Sequence, residues 1–264
     1  MIIQNDTFIN GGWKFHFIDE GTFIVNLSAS SNKPEPSKPP GRFTLSISFL
    51  LVESPHVTFL IDLGLGSYPN QVFEAHKFTP LIPVQKKIAA VSSRPVEAIL
   101  FSHLHIDHMG CYLDYKDGSF NHNFDSQPCF VSGKEWEYRT DRLGKADSVY
   151  KTYYEALRSN IQCTDVGQEV LPDVFIFNIG GHTPGHQTIL INTGEYKVLY
   201  GGDLIATAAQ LSRNRSLPYD FDPQQSAALR EQICDYARKD NCIFALNHAP
   251  HRKFMVLEKT EKNK

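Results

Sequence analysis

Four side chains that bind divalent metal ions well stand close together in one short segment. Residues 103–110 read His-Leu-His-Ile-Asp-His-Met-Gly and directly follow a predicted buried strand. Neutral imidazole and carboxylate groups suit zinc and similar ions. In an extended backbone, His103 and His105 point the same way and can share one ion, whereas Asp107 and His108 follow a turn and can face a second ion. A lone buried histidine is usually a structural residue, but this density of ligands indicates a metal site.

Three further segments with metal-binding side chains also begin where predicted strands end. Their glycines let the backbone pass close to an ion without a Cβ atom in the way. Strand ends gather at one edge of a sheet, where α/β proteins place their ligand sites. The segments are Gly180-Gly-His182-Thr-Pro-Gly-His186, Gly201-Gly-Asp203 and Asn247-His248-Ala-Pro-His251.

The elements that must position these segments read mainly as strands. Runs of β-branched and aromatic residues predict them, at residues 13–26, 43–52, 57–62, 97–102, 174–179, 187–193, 196–200 and 242–246. Helices are predicted at 81–91 and after Asp222-Pro223, where an N-cap residue precedes a proline. The second helix carries an apolar stripe that includes Leu229 and Ile233. Strands with helices between them predict an α/β fold.

The composition is that of an ordinary globular protein, with 264 residues of which 41% are hydrophobic and 21% charged. We predict one domain over residues 1–264, with a Pro/Ser-rich surface loop at 28–41 and a basic tail at 259–264. The net charge of −3 argues against nucleic acid or a membrane surface as partner. The start lacks the features of a signal peptide, so we expect a cytoplasmic protein. Five cysteines without a CxxC pair predict reduced thiols.

The order HxHxDH, GHTPGH, GGD and NH resembles that of the metallo-β-lactamase superfamily of hydrolases. The resemblance extends over nearly the whole chain, from the strands near Trp13 to His251. It implies an α/β fold of the four-layer αββα sandwich type, with a metal cleft at one edge between the two sheets. It also implies two divalent metal ions, zinc by default, with iron, manganese or cobalt as alternatives.

The same resemblance implies a ligand set. The ligands are, for the first ion, His103, His105 and His182; for the second ion, Asp107, His108 and His248; and, between the two ions, Asp203. His186 is an alternative to His182, and His251 is an alternative to His248. The histidine directly after the glycine pair and the histidine at the strand end are preferred.

The resemblance also implies an activity. Two adjacent cations make hydroxide available at neutral pH, and the hypothesis is that this hydroxide attacks a carbonyl or phosphoryl centre. Asp107 could both bind a metal and carry a proton to the leaving group. Segments 181–187 and 201–210 are similar to N-acyl homoserine lactonases and related organophosphate hydrolases. The prediction is therefore an enzyme that opens a small-molecule lactone or ester. A homodimer is implied by this resemblance alone.

Several alternatives stay open. Tyr219 is predicted to contact the lactone carbonyl, or else to pack beneath the following helix. Loop 28–41 replaces an aromatic, glycine-containing loop of the lactonase branch and is either an idle insertion or a flap or dimer contact. Phosphotriesterase, thioesterase or arylesterase activity is an alternative, as is a non-catalytic protein that keeps its metals for binding. Four phenylalanines either line an acyl pocket or belong to the core: Phe120, Phe124, Phe130 and Phe221.

Overall fold

The computed structural model describes residues 1–4, 6–27, 41–67, 82–124, 126–142, 148–212 and 219–257. Of the predicted loop at 28–41, only residue 41 falls within these ranges, as the first residue of a strand. The predicted basic tail at 259–264 lies outside them. Within the described part of the chain, no helix is long and apolar enough to span a membrane.

The described residues form sixteen strands and six α-helices. The strands are β1 Ile2–Ile3, β2 Thr7–Asn10, β3 Trp13–Leu27, β4 Gly41–Glu53, β5 Thr58–Ile61, β6 Ala98–Leu100, β7 Leu113–Lys116, β8 Ser119–His122, β9 Cys129–Ser132, β10 Ile161–Thr164, β11 Glu169–Leu171, β12 Val174–Ile179, β13 Gln187–Asn192, β14 Lys197–Tyr200, β15 Cys242–Ala245 and β16 Phe254–Val256. The helices are α1 Val84–Ala89, α2 Ile106–Met109, α3 Gly133–Thr140, α4 Ser148–Leu157, α5 Ala208–Ser212 and α6 Pro223–Asp240.

All strands except the β7–β8 hairpin belong to two sheets. The larger sheet has eight strands in the order β1-β2-β3-β4-β5-β6-β9-β10, and the smaller sheet has six in the order β11 to β16. Neighbouring strands are antiparallel, except that β5, β6, β9 and β10 run parallel to one another and β14 runs parallel to β15. Parallel strands bring their carboxyl ends to the same edge of a sheet, and that edge can hold a site.

Alternate residues of the strands pack on opposite faces, as the two-residue repeat of a strand requires. In β4, Leu50 and Val52 face an apolar core between the two sheets, whereas Phe49 and Leu51 face the other way. The smaller sheet contributes to the core between the sheets with Val174, Ile176, Ile189, Ile191, Val198, Tyr200 and Ile243.

Helices cover both outer faces. α1 and α4 place Ile88 and Leu157 in the core on the outer side of the larger sheet. α6 packs Ile233 and Ala237 against Leu199 on the outer side of the smaller sheet. The resulting order of helices, sheet, sheet and helices confirms the predicted αββα sandwich.

The predicted elements that carry the motifs are present, some of them shortened. β12 has the predicted bounds, whereas β6 and β15 are shorter than the predicted strands at 97–102 and 242–246. α6 begins after Asp222, whose side chain accepts a hydrogen bond from the backbone N–H of Gln225. The helix predicted at 81–91 is shorter, since α1 covers only Val84–Ala89. The patterns did not predict β1, β2, β7 to β11, β16 or α2 to α5. Most of these elements have only two to five residues, which is too short for a periodic pattern to show.

A close backbone crossing joins the HxHxDH segment to the turn after β5. Gly110 N–H donates a hydrogen bond to Gly64 O at 2.8 Å, and Tyr153 O–H donates to Gly110 O at 2.8 Å. A Cβ atom on Gly110 would lie only 1.8 Å from Leu65 O. Glycine is therefore required here by the close approach of two backbones.

We expect Gly110→Ala to lower the free energy of unfolding by about 1–3 kcal/mol, the usual range for overpacking. Urea unfolding followed by circular dichroism would measure it. Gly133→Ala is the matched control, because its added methyl group would lie in ordinary contact, 3.8 Å from Cys163 Cβ, and alanine favours a helix. If the two variants had equal free energies of unfolding, the close approach of the two backbones at Gly110 would be contradicted.

Candidate metal centre

The predicted ligands follow the ends of strands from both sheets. In the larger sheet, β6 leads into His103 and His105, and the short helix α2 carries Asp107 and His108. In the smaller sheet, the predicted ligands His182, Asp203 and His248 follow β12, β14 and β15. The side chains therefore approach one cleft from two directions, at the edge where both sheets end.

Three imidazoles and one carboxylate form a first cluster, with all four ligand atoms within 4.8 Å of one another. His105 Nδ1 lies 2.8 Å from His103 Nε2 and 3.2 Å from His182 Nε2. Asp203 Oδ2 lies 3.4 Å from His182 Nε2. One ion could contact all four atoms.

A second cluster is formed by Asp107, His108 and His248. Asp107 Oδ2 lies 3.8 Å from His108 Nε2 and 3.7 Å from His248 Nε2. The second carboxylate oxygen of Asp203, Oδ1, lies 3.1 Å and 3.0 Å from the same two nitrogens. The two oxygens of Asp203 thus face different clusters, as a bridging ligand would.

The donor set fits two divalent cations. His103 Nδ1 faces Ser102 Oγ, which itself donates to Asp62, and His182 Nδ1 faces the Asp220 carboxylate, so both rings carry their proton on Nδ1. Both Nε2 atoms then direct an unshared electron pair at His105 Nδ1, which can donate a hydrogen bond to only one of them. Such an arrangement is unfavourable without a positive charge between the atoms. Imidazole nitrogen and carboxylate oxygen are ligands that zinc and similar ions accept.

The pKa values differ between the two clusters. Burial lowers the pKa of His103 well below its ordinary value, with further contributions from the neighbouring histidines His108 and His105. Burial alone would also lower the pKa of His108, but the carboxylates of Asp203, Asp62 and Asp107 together raise it well above that value. His108 therefore lies in more negative surroundings than His103.

Asp62 orients His108 from behind. It is fully buried at the end of β5, in a left-handed conformation with φ of 59°. Its carboxylate lies 2.7 Å from His108 Nδ1 and accepts hydrogen bonds from Ser102 N, Ser102 Oγ and Tyr200 O–H at 2.7, 2.8 and 2.7 Å. His108 Nδ1–H therefore points at Asp62, which leaves Nε2 free to face the cleft.

Three other histidines of the clusters also have a polar partner at Nδ1, the ring nitrogen that points away from the cluster. His103 Nδ1 lies 3.0 Å from Ser102 Oγ, and His248 Nδ1 lies 2.6 Å from the backbone oxygen of Ser46. His182 Nδ1 lies 3.2 Å from Asp220 Oδ1, and the other oxygen of Asp220 accepts from Arg230 Nη2 at 2.8 Å. Such partners fix the tautomer and the ring orientation of a metal ligand.

Glu135 joins the two histidine segments of the first cluster to α3. This fully buried carboxylate accepts hydrogen bonds from Leu104 N at 3.1 Å, Thr183 Oγ1 at 2.6 Å and Arg139 Nε at 2.8 Å. Leu104 lies between His103 and His105 in the chain, and Thr183 follows His182. A Cβ atom on Gly185 would lie 1.9 Å from Glu135 N, so α3 is packed directly on the segment that carries His182.

The structure brings His182 and His248 into the clusters, but not their alternatives His186 and His251. His186 is buried, and its Nε2 accepts a hydrogen bond from Asp203 N at 3.1 Å. Burial lowers the pKa of His186 to about 3, which keeps the ring neutral and able to accept. His251 is exposed and belongs to neither cluster. His186 therefore supports the backbone that carries Asp203.

The other predicted aromatic residues divide between core and cleft. Tyr219 is 47% exposed, and the centre of its ring lies 5.7 Å from that of His182. Phe124 is buried in the core on the outer side of the larger sheet, and Phe120 packs against that core. Phe130 packs against the core between the sheets, whereas Phe221 is 58% exposed. Of these five predicted residues, Tyr219 and Phe221 are the two that are largely exposed.

The sequence patterns did not single out Asp62 or Glu135. Asp62 follows a predicted strand and precedes Leu63-Gly64, so it shares the strand-end signal of the histidine motifs. Glu135 carries no such signal, because it lies in a polar stretch of a helix that was not predicted. Its role depends on contacts with residues that are distant in the sequence.

We expect Asp62→Asn to weaken binding of the second metal ion by roughly 10- to 100-fold, the usual effect of losing a partner behind a ligand. An amide oxygen cannot accept all the hydrogen bonds that this carboxylate accepts. Competition with a chelating dye would measure the affinity. Asp173→Asn is the control, since Asp173 has a similar φ of 64° and belongs to neither cluster. Equal metal affinity in both variants would contradict the role of Asp62.

We expect Glu135→Gln to weaken binding of the first ion, because the amide loses the charge that Arg139 faces and one of its acceptor atoms. The cobalt-substituted protein should show an altered visible spectrum, which reports the coordination of the ion rather than turnover. Glu137→Gln is the control, because Glu137 is exposed on the same helix. An unchanged cobalt spectrum in Glu135→Gln would show that α3 does not position the ligands.

Comparison with known proteins identifies the family. The model of the metallo-beta-lactamase superfamily matches residues 43–240. The chain is 23% identical to the N-acyl homoserine lactonase AiiA of Bacillus thuringiensis subsp. kurstaki, over 89% of this chain and 92% of that protein. A probable metal-dependent hydrolase from Staphylococcus aureus has a similar fold, with a TM-score of 0.78 at 18% identity, covering 96% of this chain and 95% of that one. The dizinc quorum-quenching lactonase AidC has a TM-score of 0.75 at 17% identity, with 98% of both chains covered. The chain therefore belongs to the metallo-beta-lactamase superfamily of metal-dependent hydrolases.

Proposed function

We propose that this protein is a dinuclear metal-dependent hydrolase that opens lactone rings of the N-acyl homoserine lactone type. The observation that carries the proposal is the pair of clusters that meet at the two oxygens of Asp203. The likeness to N-acyl homoserine lactonases over 89% of the chain supports the substrate class. The ligands we propose are His103, His105 and His182 for one ion, Asp107, His108 and His248 for the other, and Asp203 for both.

When bound, two such cations act as Lewis acids and lower the pKa of a water molecule toward neutrality. The protein's own groups must orient the lactone and move a proton. The side chain of Asp107 is 22% exposed, so its carboxylate can reach both the second cluster and the cleft. We infer that the Asp107 carboxylate accepts the proton that the attacking water loses and transfers it to the leaving oxygen when the ring opens.

Tyr219 is the proposed donor to the lactone carbonyl. Its ring lies against His182, at the open side of the first cluster. Partial burial of the phenol, with the carboxylates of Asp203 and Asp220 nearby, raises the pKa of Tyr219, so the group stays protonated and can donate. A hydrogen bond to the carbonyl oxygen would strengthen as negative charge develops there.

We expect rapid proton release, followed with a pH indicator, when zinc-loaded protein meets a medium-chain N-acyl homoserine lactone. A chelator should abolish the release, and His103→Ala should lose both activity and bound metal. His251→Ala is the matched control, since His251 is exposed and outside both clusters. If the protein releases no proton with the lactone but cleaves a nitrophenyl ester or a phosphotriester, then it is a hydrolase of another substrate and not a lactonase. No turnover of any of these substrates by the metal-loaded protein would favour a binding protein.

We expect Tyr219→Phe to lower kcat/KM for the lactone by about 10- to 100-fold. This effect is smaller than that of removing a donor that is fully enclosed by protein, because Tyr219 is partly exposed. The phenyl ring remains, so metal content should not change. Tyr236→Phe on α6 is the control, because it removes the same hydroxyl group from a tyrosine whose partner is Lys197 and not a residue of either cluster. If kcat/KM for the lactone is unchanged in Tyr219→Phe, then Tyr219 has only a packing role.

A further inference from the structure

Two aromatic side chains stand exposed beside the first cluster. Tyr219 and Phe221 are 47% and 58% exposed, whereas Asp220 between them is buried. The buried carboxylate points inward, to His182 Nδ1 and to Arg230. Because the exposure alternates along the segment, the two rings are directed outward on either side of an inward anchor. Exposed large apolar groups next to a reactive centre commonly contact a ligand.

The segment that carries these rings is fixed to the ligand segment. Phe221 N–H donates to His182 O at 3.0 Å, and Asp222 N–H donates to Gly181 O at 3.0 Å. Together with the contact of Asp220 with His182, these bonds hold the aromatic side chains in a set position relative to the first cluster. The exposed rings are therefore part of a rigid surface, which lowers the entropy cost of binding a ligand there.

A third ring, from α3, extends this surface. The Tyr138 ring lies 5.6 Å from that of Phe221, centre to centre, with an angle of 76° between the planes. The guanidinium of Arg142 lies 3.8 Å above the centre of the Tyr138 ring and covers one of its faces. α3 is itself fixed to both histidine segments through Glu135. We call Tyr138, Tyr219 and Phe221 the aromatic rim.

We propose that the aromatic rim binds the apolar acyl chain of the substrate, so that the enzyme prefers long-chain over short-chain acyl lactones. This inference rests on the proposed lactonase function and adds the part of the substrate that lies away from the ring. With the lactone at the metal centre and its carbonyl near Tyr219, the acyl chain would pass Phe221 and end near Tyr138. An alkyl chain can pack on such rings without polar partners, and the gain grows with its length.

The test compares the affinities for two ring-opened products, N-decanoyl-homoserine and N-butanoyl-homoserine. Calorimetry on the metal-loaded protein measures both affinities without turnover. The wild type should bind the decanoyl compound more tightly. In Phe221→Ala the ratio of the two affinities should fall by about tenfold, as expected for the loss of one aromatic contact, and Tyr138→Ala should act in the same direction. Val256→Ala is the control, because Val256 is an exposed apolar residue that lies on β16 opposite Ile243, near the start of β15, whereas His248 follows the end of β15.

Two outcomes would overturn the aromatic rim. One is a wild type that binds both compounds equally, and the other is a ratio that is the same in Phe221→Ala as in Val256→Ala. Proton release from the two lactones is measured separately. If no lactone is opened but the affinity ratio depends on Phe221, the rim stands and the proposed function fails. If lactones are opened with an unchanged ratio, the function stands and the rim fails.

Discussion

The candidate metal centre depends on the hydrogen bonds that one buried carboxylate, that of Asp62, accepts. Asp62 lies at the end of β5, and it accepts hydrogen bonds from Ser102, which follows β6 of the larger sheet, and from Tyr200 in the smaller sheet. The same carboxylate faces His108 Nδ1. A carboxylate that is buried away from water stays ionised at low cost only when hydrogen-bond donors surround it. The joining of the two sheets and the orientation of His108 are therefore specified by the same set of contacts.

Glu135 has a corresponding role for the first cluster. It joins the ligand segments to a helix, whereas Asp62 joins two sheets. Its three hydrogen bonds link α3 to the segments of His103 and His182. Networks of this kind are costly when one partner is missing, because the remaining groups stay buried without a hydrogen bond. The αββα sandwich thus brings the ligand segments together, and the buried carboxylates of Asp62, Glu135 and Asp220 determine how precisely they are held.

The aromatic rim differs from the metal centre in exposure and in composition. The proposed ligands follow the ends of core strands and are largely buried, whereas Tyr219 and Phe221 lie on a connection before α6. Loops on a rigid scaffold commonly determine which substrate an enzyme accepts, while the scaffold determines the chemistry.

The sequence by itself determined the types of ligand, their order along the chain and their position after strands. These features are local, because a strand alternates every second residue and a glycine-rich segment follows directly where it ends. The αββα fold could be predicted from them through the resemblance of the motifs to a known family. Only the tertiary structure decided that His182 rather than His186 faces the first cluster, and that Asp62, Glu135 and Asp220 hold the ligands from behind. These partners are far apart in the chain, so their contacts follow from how the sheets and α3 pack, which no local pattern records.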